Sequence, residues 1–546
     1  MPHQSDKKFN HQPDNSLLYQ SDNNVFNKSD KKMIKNAGTV GILMVISRIL
    51  GFIRDSIVAM LLGAGIYSDA FFAAFRIPDL FRKFFSDGAL SVSFIPVFTE
   101  VLTQRGAEDA FDMSRSAWVL ISLAGLVALF FFMLLAEFVF PESDLTIRLA
   151  KIMMPYLIAI SLMSICMGIL NSMGDFAAPA AAPILLNITI IIFAVIFSPF
   201  FHQPAVVIAW GVTTGGALQL AIQIPFIIRK GFRFRGRLIL FHPDTMRALK
   251  MMLPALVGIA PCQINMLVAT FMASSITSSF AHGSVSYLYY ADRLVQFPLA
   301  LFTVSVSTSI FPALSRDVAT YDIARASELL ARGVRIVIVM ILPSMAGLAV
   351  LREPIVALLF YQGAFGINDV SATSKVLLCL STGMWAFSGT RIFVSIFYAL
   401  SNVKIPLIGG IISICSNIVL SSALMKILGV YGLALSISIS SALNLIFLLM
   451  YLETLKINFS WRKTFYTALS SLLLSTVMYA AVYMAAQYLC PVEIFADKSQ
   501  LLLGVVACVL LGAAVYGGSG LILKVPEHRL LWNLCFENVF NRHKSL

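Results

Sequence analysis

Residues 38–63 read GTVGILMVISRILGFIRDSIVAMLLG, an apolar stretch that carries Arg48, Arg54 and Asp55 in its interior. About 20 mostly apolar residues can cross a bilayer as one helix, and similar stretches recur through almost the whole chain. Of its 546 residues, 58% are hydrophobic and 12% charged, and the mean hydropathy is +0.83. Soluble domains carry roughly 25% charged residues. The sequence therefore predicts an all-α, polytopic membrane protein.

Apolar windows bounded by charges or turn residues predict about 14 spanning helices. Several windows are longer than a bilayer requires, which predicts helices that tilt, kink or project from the membrane. Pro78 lies in the second window and predicts a kink, because proline removes a backbone hydrogen bond. The windows cover 38–63, 67–99, 116–140, 147–172, 180–201, 204–228, 249–275, 283–315, 332–360, 371–401, 404–428, 430–453, 463–488 and 500–523.

The distribution of lysine and arginine predicts the orientation, because cytoplasmic loops are enriched in these residues. The predicted loops after even-numbered helices carry them, and the loop after the sixth helix is the most basic, with Arg229, Lys230, Arg233, Arg235, Arg237 and Arg247. The opposite loops, at 199–204, 274–283 and 429–432, are nearly free of cations. Both termini are therefore expected in the cytoplasm.

The order of the helices predicts how the chain is divided. Two pairs of similar segments, 91–96 with 307–312 and 171–179 with 398–406, are each separated by six helices, which indicates parallel repeats. We expect a polar, disordered tail over 1–36, a six-helix lobe over 37–230, a basic loop over 231–248, a second six-helix lobe over 249–455, two further helices over 456–524 and a cytoplasmic tail over 525–546.

Residue types suited to catalysis or metal binding are scattered along the chain. The 7 histidines fall in tails, loops or helix ends, and the 7 cysteines lack metal-binding spacing. The sequence contains no P-loop, HExxH motif or carboxylate cluster. Its net charge of +12 is spread between apolar stretches, unlike the basic stripe of a nucleic-acid-binding protein. We expect a transporter with no catalytic residues, metal, cofactor or nucleic-acid partner.

Arginines in three different helices reach a similar depth in the membrane. At 1.5 Å per residue, Arg48 lies roughly 15 Å from the cytoplasmic start of the first helix. Arg82 and Arg293 lie roughly 20 Å and 15 Å from the outer starts of the second and eighth helices. With Arg54, they would cost on the order of 10 kcal/mol if they faced lipid. We expect them to face a shared hydrated cavity that binds a polyanion, because guanidinium groups bind phosphate and pyrophosphate through paired hydrogen bonds.

Nearby carboxylates are too few to neutralise these cations. Asp79 is spaced to pair with Arg82 or Lys83, at i,i+3 and i,i+4, but we expect it not to satisfy both. Asp55 lies seven residues after Arg48 on the same helix face, so the two can share a partner. A purely structural ion pair with Asp55 is the alternative to a binding role.

Two further charged residues are placed away from the middle of the membrane. Asp69 is expected near the outer mouth, either as a solvated carboxylate at a helix start or as part of a gate. Arg391, late in the tenth helix, is expected near the cytoplasmic surface, where its side chain can reach water.

Several blocks in a fixed order resemble the MurJ (MviN) family of lipid II flippases, within the multidrug/oligosaccharidyl-lipid/polysaccharide exporter superfamily. The resemblance covers the chain from the first to the fourteenth predicted helix. It implies two lobes around a cationic cavity, with the last two helices forming a groove for an undecaprenyl tail. It also implies that alternating access moves a pyrophosphate-linked disaccharide pentapeptide outward for peptidoglycan synthesis. The blocks are 47–55, 68–72, 82–89, 91–96, 289–298 and 361–363.

The resemblance also implies roles for individual residues. The family's essential cavity cations match Arg48, Arg54, Arg82 and Arg293, and its outer gate matches Asp69 and Ser286. Lys83 stands where many relatives have a second arginine, so it keeps the charge but loses the bidentate fork.

Two further positions depart from the family pattern. Gln296 and Asp87 each stand where relatives often have glutamate. Some relatives bind sodium through carboxylates between helices 7 and 11, but the windows 249–275 and 404–428 contain no Asp or Glu. A sodium site of that type is therefore not expected.

We therefore expect a flippase in the bacterial inner membrane whose partners are lipid II, membrane lipids and proteins of cell-wall synthesis or division. The alternatives are a flippase for another lipid-linked oligosaccharide and a MATE-like antiporter, although a positive cavity disfavours cationic drugs. A membrane enzyme acting on polyprenyl phosphates would need acidic metal ligands. A scaffold for cell-wall enzymes would give the buried arginines no role.

Overall fold

A computed structural model describes residues 15–84, 90–139, 144–276, 282–454, 459–522 and 527. Within these ranges the regular elements are helices, with one isolated bridge between Gln362 and Phe365. The first group comprises α1 Asn15–Leu62, α2 Ile66–Phe84, α3 Leu90–Gln104, α4 Ala107–Val139, α5 Leu145–Met153, α6 Tyr156–Ser172, α7 Ala177–Ile192 and α8 Pro204–Arg229.

The second group follows a linker that is packed along α4. A hairpin, α18 Trp461–Leu489 and α19 Lys498–Ile522, completes the described chain. The second group comprises α9 Pro243–Ser274, α10 Ser284–Pro298, α11 Ser305–Ala319, α12 Ile323–Val350, α13 Arg352–Phe360, α14 Ile367–Ser381, α15 Met384–Ala399, α16 Lys404–Leu428 and α17 Val430–Thr454.

Most helices pack within their own group. In the first group α1 packs on α7, α7 and α6 on α8, and α3 on α4 and α6. In the second group α10 packs on α14, α14, α15 and α16 on α17, and α12 on α11 and α15. The hairpin packs through α18 on α12, while α9 contacts α2 and α3 as well as α16 and so joins the groups along one side.

Ten described helical segments are long and apolar enough to cross a membrane, and the bent pair α14 and α15 makes an eleventh. They correspond to eleven of the predicted spans and make this a multi-pass membrane protein. The windows 38–63, 67–99 and 249–275 are not among them. The figure of 14 therefore stays a prediction.

Several predicted helices are broken in the structure. The eighth window holds α10, a π-helical segment over Leu299–Val304, and α11, and the tenth is bent by 43° between α14 and α15. In the second window the structure describes α2 and α3, and the residues between them lie outside the described ranges. Pro78 lies inside α2, which stays helical to Phe84. Apolar windows could not locate the π-helical segment or the bend, because no charged residue interrupts the eighth or the tenth window at these places.

Two helix starts also differ from the prediction. We expected residues 1–36 to be disordered, but α1 already begins at Asn15, since extending a formed helix adds a hydrogen bond for each residue without new nucleation. Similarly, α9 begins at Pro243, inside the predicted loop 231–248, with His242 accepting a hydrogen bond from Asp244 N. Residues 1–14, Asp87 and the tail 525–546 other than Glu527 lie outside the described residues.

A candidate substrate cavity between the helix groups

A cavity of about 330 Å³ lies where α1, α2, α6, α7, α8 and α10 converge. Its wall contains all four arginines that the sequence predicts for it: Arg48, Arg54, Arg82 and Arg293. Lys83 is not among the lining residues, and Arg391 is exposed on α15, outside the cavity. The structure thus brings the four arginines into one cavity wall, whereas Lys83 lies on α2 outside the lining.

Asn187 joins α7 to α1 at the cavity wall. Its Nδ2 donates to the carbonyl of Ser47 (3.0 Å), and its Oδ1 accepts from Arg54 Nη1 (3.1 Å). Gly51 lies beside it, and a Cβ there would be 3.8 Å from Asn187 Nδ2, an ordinary van der Waals contact. Sequence analysis missed Asn187. The available signal was one amide side chain inside the apolar window 180–201.

Asp55 binds two of the cavity arginines. Its Oδ1 accepts from Arg54 Nε (3.0 Å) and Nη2 (2.6 Å), and its Oδ2 lies 3.2 Å from Arg293 Nε. Arg54 and Asp55 are 7% and 3% exposed, so this charge pair is held in the protein interior. The expected link between Asp55 and Arg48 is not present among the described contacts. Asp55 instead connects α1 of the first group to α10 of the second.

Tyr289, a second residue that sequence analysis missed, completes this network. Its hydroxyl accepts from Arg293 Nη2 (3.0 Å) and Arg54 Nη2 (3.3 Å). Its ring stacks on Phe72 of α2, with centroids 3.9 Å apart, and Arg293 lies over the ring at 5.2 Å. The aromatic contact fixes the hydroxyl where both guanidinium groups can reach it.

Asp79 pairs with Arg82 and Lys83, two of the three cations of α2. Arg82 Nη2 lies 2.9 Å from its Oδ1, and Lys83 Nζ lies 3.2 Å from its Oδ2. The predicted i,i+3 and i,i+4 pairs are therefore both confirmed, and the expectation that one carboxylate could not serve both was wrong. The two cations contact different oxygens of the Asp79 carboxylate, whereas a count of charges treats the carboxylate as one partner.

Arg48 differs from the other cavity arginines. Its side chain is exposed, and no contact recorded among the described residues pairs it with a carboxylate. The lining as a whole carries four arginines against Asp55 and Asp79. In a protein environment of low dielectric constant, this excess makes the cavity attractive to an anion with several charged oxygens.

Asp69 and Ser286 meet at the end of the bundle that is predicted to face outward. Asp69 Oδ1 accepts from Ser286 N (2.8 Å) and Oγ (2.6 Å), and Oδ2 accepts from Gly283 N (2.8 Å). Asp69 of the first group thus caps the N-terminus of α10 in the second.

A second contact closes the same end. The backbone N–H of Ala364 donates to the Met60 carbonyl at the end of α1 (2.8 Å). Gly363, with a φ of 58°, allows this approach, because a Cβ there would lie 2.4 Å from the Met60 oxygen. The cavity is therefore separated from the outward end by contacts between the two groups.

Replacing Asp69 by alanine is expected to open this end. Removing a helix cap costs about 0.5–2 kcal/mol, and 1–2 kcal/mol shifts an equilibrium by a factor of roughly 5–30. A single cysteine is introduced at Ala300, in the cavity wall, in a chain without its native cysteines. An impermeant maleimide added outside should label this cysteine faster in the Asp69→Ala variant than in the chain that keeps Asp69. Asp144→Ala is the control, because Asp144 caps α5 within one group only. Equal labelling of both variants would contradict a gate at Asp69.

Known proteins resemble this chain in sequence and in fold. The family profile described as "Lipid II flippase MurJ" matches residues 58–496. The chain belongs to the MurJ family. Among its relatives, the "Probable lipid II flippase MurJ" of Buchnera aphidicola subsp. Acyrthosiphon pisum is 35% identical over 474 residues, covering 83% of this chain and 91% of the relative. That of Vibrio cholerae serotype O1 is 34% identical, covering 80% and 85%.

Solved structures give the same family and a wider fold group. "Lipid II flippase MurJ, inward closed conformation" matches this chain with a TM-score of 0.71 and 26% identity, covering 87% of this chain and 98% of that one. A multidrug resistance MATE transporter of the MOP superfamily, inward-facing, matches with a TM-score of 0.61 and 17% identity, covering 77% and 99%. The second likeness shows the MATE-like fold alone.

Neutral side chains form the hydrogen bonds described between α9 and α16. Asn417 Nδ2 donates to Asn265 Oδ1 (2.6 Å), and Ser421 Oγ donates to Asn417 Oδ1 (3.2 Å). Asn265 Nδ2 in turn donates to Ser413 Oγ (3.4 Å). These amides satisfy one another and supply no carboxylate, so they do not fit a carboxylate-held sodium site.

Proposed function

We propose that this chain flips lipid II, the undecaprenyl-pyrophosphate-linked disaccharide peptide, from the cytoplasmic to the periplasmic leaflet of the bacterial inner membrane. It acts as a transporter and not as an enzyme. The name of its family supports the cargo, and the cavity supports the way in which the cargo is held. Lipid II is the partner of the cavity, and membrane lipids surround the helices. Proteins of cell-wall synthesis or division are proposed as further partners.

The observation that carries this proposal is the convergence of Arg48, Arg54, Arg82 and Arg293 on one cavity with only two aspartates. Pyrophosphate has several negatively charged oxygens, and guanidinium groups bind such oxygens bidentately. Lys83, just outside the lining, adds to the positive potential. The cavity is thus suited to the charged part of the precursor, and α2 and α10 bring cations to it from different helix groups.

Alternating access accounts for the contacts at the outward end. Asp69 with Ser286, and Met60 with Ala364, join the helix groups between the cavity and that end. The similar MurJ structure is described as inward closed. We propose that these contacts break as the groups rotate, so that Asp69 and Ser286 act as the outer gate and the headgroup is released to the periplasm.

The hairpin α18–α19 is proposed to hold part of the lipid tail. A groove of about 170 Å³ lies between α12, α14 and α18, lined by Leu342, Met345, Leu378 and Leu472 among others. An undecaprenyl chain is apolar, so it can exchange contacts with lipid tails for van der Waals contacts with these side chains. The distribution of cationic loops supports the placement of both termini in the cytoplasm.

Depletion of the protein tests the proposal directly. Cells that lose it should accumulate lipid II in the cytoplasmic leaflet, measured by accessibility of the precursor to an outside reagent. Restoring the full chain should restore outward accessibility. An unchanged leaflet distribution would contradict lipid II flipping, and accumulation of a different lipid-linked oligosaccharide would indicate another cargo.

A further inference from the structure

Two glutamines on α8 lie buried beside the cavity with polar atoms that no protein group satisfies. Gln219 lines the cavity and is 2% exposed, and its Oε1 has no hydrogen-bond partner among the described residues. Gln223, one helical turn further, is fully buried, and neither Nε2 nor Oε1 has a described partner. A buried amide without a hydrogen-bond partner is unfavourable. We therefore expect these side chains to form hydrogen bonds with a group from outside the protein.

Two glycines bring α8 close enough for Gln219 to reach the cavity. A Cβ at Gly216 would lie 2.3 Å from the ring of Tyr156 on α6, and one at Gly215 would lie 2.8 Å from Leu186 on α7. The side chains of Tyr156 and Leu186 therefore pack directly against the backbone of α8 at this level. Gln219 follows within one turn on the same side of the helix.

Apart from Asn187, the wall around Gln219 is apolar. The cavity residues that α6 and α7 contribute are Ile160, Met163, Pro183, Leu186 and Asn187. Asn187 is already bonded to Ser47 and Arg54. Gln219 is therefore the uncommitted hydrogen-bonding group of this wall, and a leucine of similar size would suit the surroundings better if the wall had only to be packed.

We propose that Gln219 forms a subsite for the neutral part of the cargo, a carbohydrate hydroxyl or an amide of a sugar or peptide. This rests on the proposed function. A carboxamide offers both donors and an acceptor and carries no charge, so it matches hydroxyl and amide groups and not phosphate. Gln223, one turn further along α8, carries the same unpaired carboxamide group. The arginines thus hold the pyrophosphate, and the α6–α8 wall recognises what is attached to it.

The test compares two ligands with the full-length protein in nanodiscs. Gln219→Leu should weaken binding of lipid II about 10-fold, which corresponds to about 1.4 kcal/mol. It should leave binding of undecaprenyl pyrophosphate, which has no sugar or peptide, unchanged. Arg48→Gln is the matched variant, and it should weaken both ligands. The thermal stability of Gln219→Leu should equal or exceed that of the parent chain, because the variant removes an unpaired buried amide.

The outcomes separate the two proposals. If Gln219→Leu binds lipid II as the parent does, the amide serves only ordered water and the subsite is wrong. Equal weakening of both ligands also overturns it, because the effect would then not depend on the neutral part. If Arg48→Gln leaves both affinities unchanged while Gln219→Leu discriminates, the pyrophosphate role of the arginines fails and the subsite stands.

Discussion

Replacing Arg48 by glutamine is expected to reduce lipid II translocation by about two orders of magnitude while the chain stays folded. A hydrogen bond to a charged group contributes about 1.5–3 kcal/mol, and each 1.4 kcal/mol is a factor of 10 in affinity. Arg48 is exposed to the cavity, and no described carboxylate pairs with it. Its loss should therefore remove cargo binding without leaving a buried partner unpaired. Precursor accessibility and thermal unfolding of the purified variant measure the two effects.

Two further substitutions sharpen this prediction. Arg48→Lys keeps the charge but loses the fork, so it should retain intermediate activity. Arg391→Gln is the control, because Arg391 is an exposed arginine of α15 outside the cavity lining. Normal translocation by Arg48→Gln, or an equal loss in Arg391→Gln, would rule out a specific role for the cavity charge.

The level of the arginines along their helices could be predicted from the sequence. Each residue of a helix advances the chain by about 1.5 Å, and the bilayer sets where each span starts. Counting from these starts placed Arg48, Arg82 and Arg293 at one level, and the structure brings them into one cavity. Chain order and hydropathy are sufficient for this, because both vary along the helix axis.

Rotation of each helix about its axis could not be predicted in the same way. Asp55 pairs with its neighbour Arg54 and with Arg293, not with Arg48. Adjacent residues do not normally face each other on a helix, and only the long guanidinium side chain makes the first contact reachable. The second contact depends on how α10 is turned toward α1, which is a property of packing between distant segments.

The uncharged part of the site was also beyond the sequence. Asn187 is the one amide side chain of its apolar window and Gln219 is one of two in its own. Many such residues simply bond a neighbouring backbone. Their importance comes from their partners, which are Arg54 and the Ser47 carbonyl for Asn187 and no described group for Gln219. Only the tertiary structure distinguishes the two cases.

Replacing Asp55 by asparagine is expected to destabilise the chain by about 3–5 kcal/mol, because removing one partner of a buried ion pair leaves the other charge uncompensated. Arg54 is 7% exposed and would keep its charge, and Arg293 would lose its carboxylate at 3.2 Å. The variant should unfold at a clearly lower temperature in detergent. Asp79→Asn should have a smaller effect, since the side chains of Arg82 and Lys83 are 28% and 31% exposed and reach water.

The double variant Asp55→Asn with Arg54→Gln decides why stability is lost. If the cost comes from an unpaired buried charge, removing that charge as well should restore a large part of the stability, because two neutral amides can still share hydrogen bonds with Asn187 and Tyr289. Effects that simply add would show instead that Asp55 acts through packing. Asp55→Asn unfolding at the temperature of the parent chain would mean that the cavity charges are solvated well enough to need no internal counter-ion.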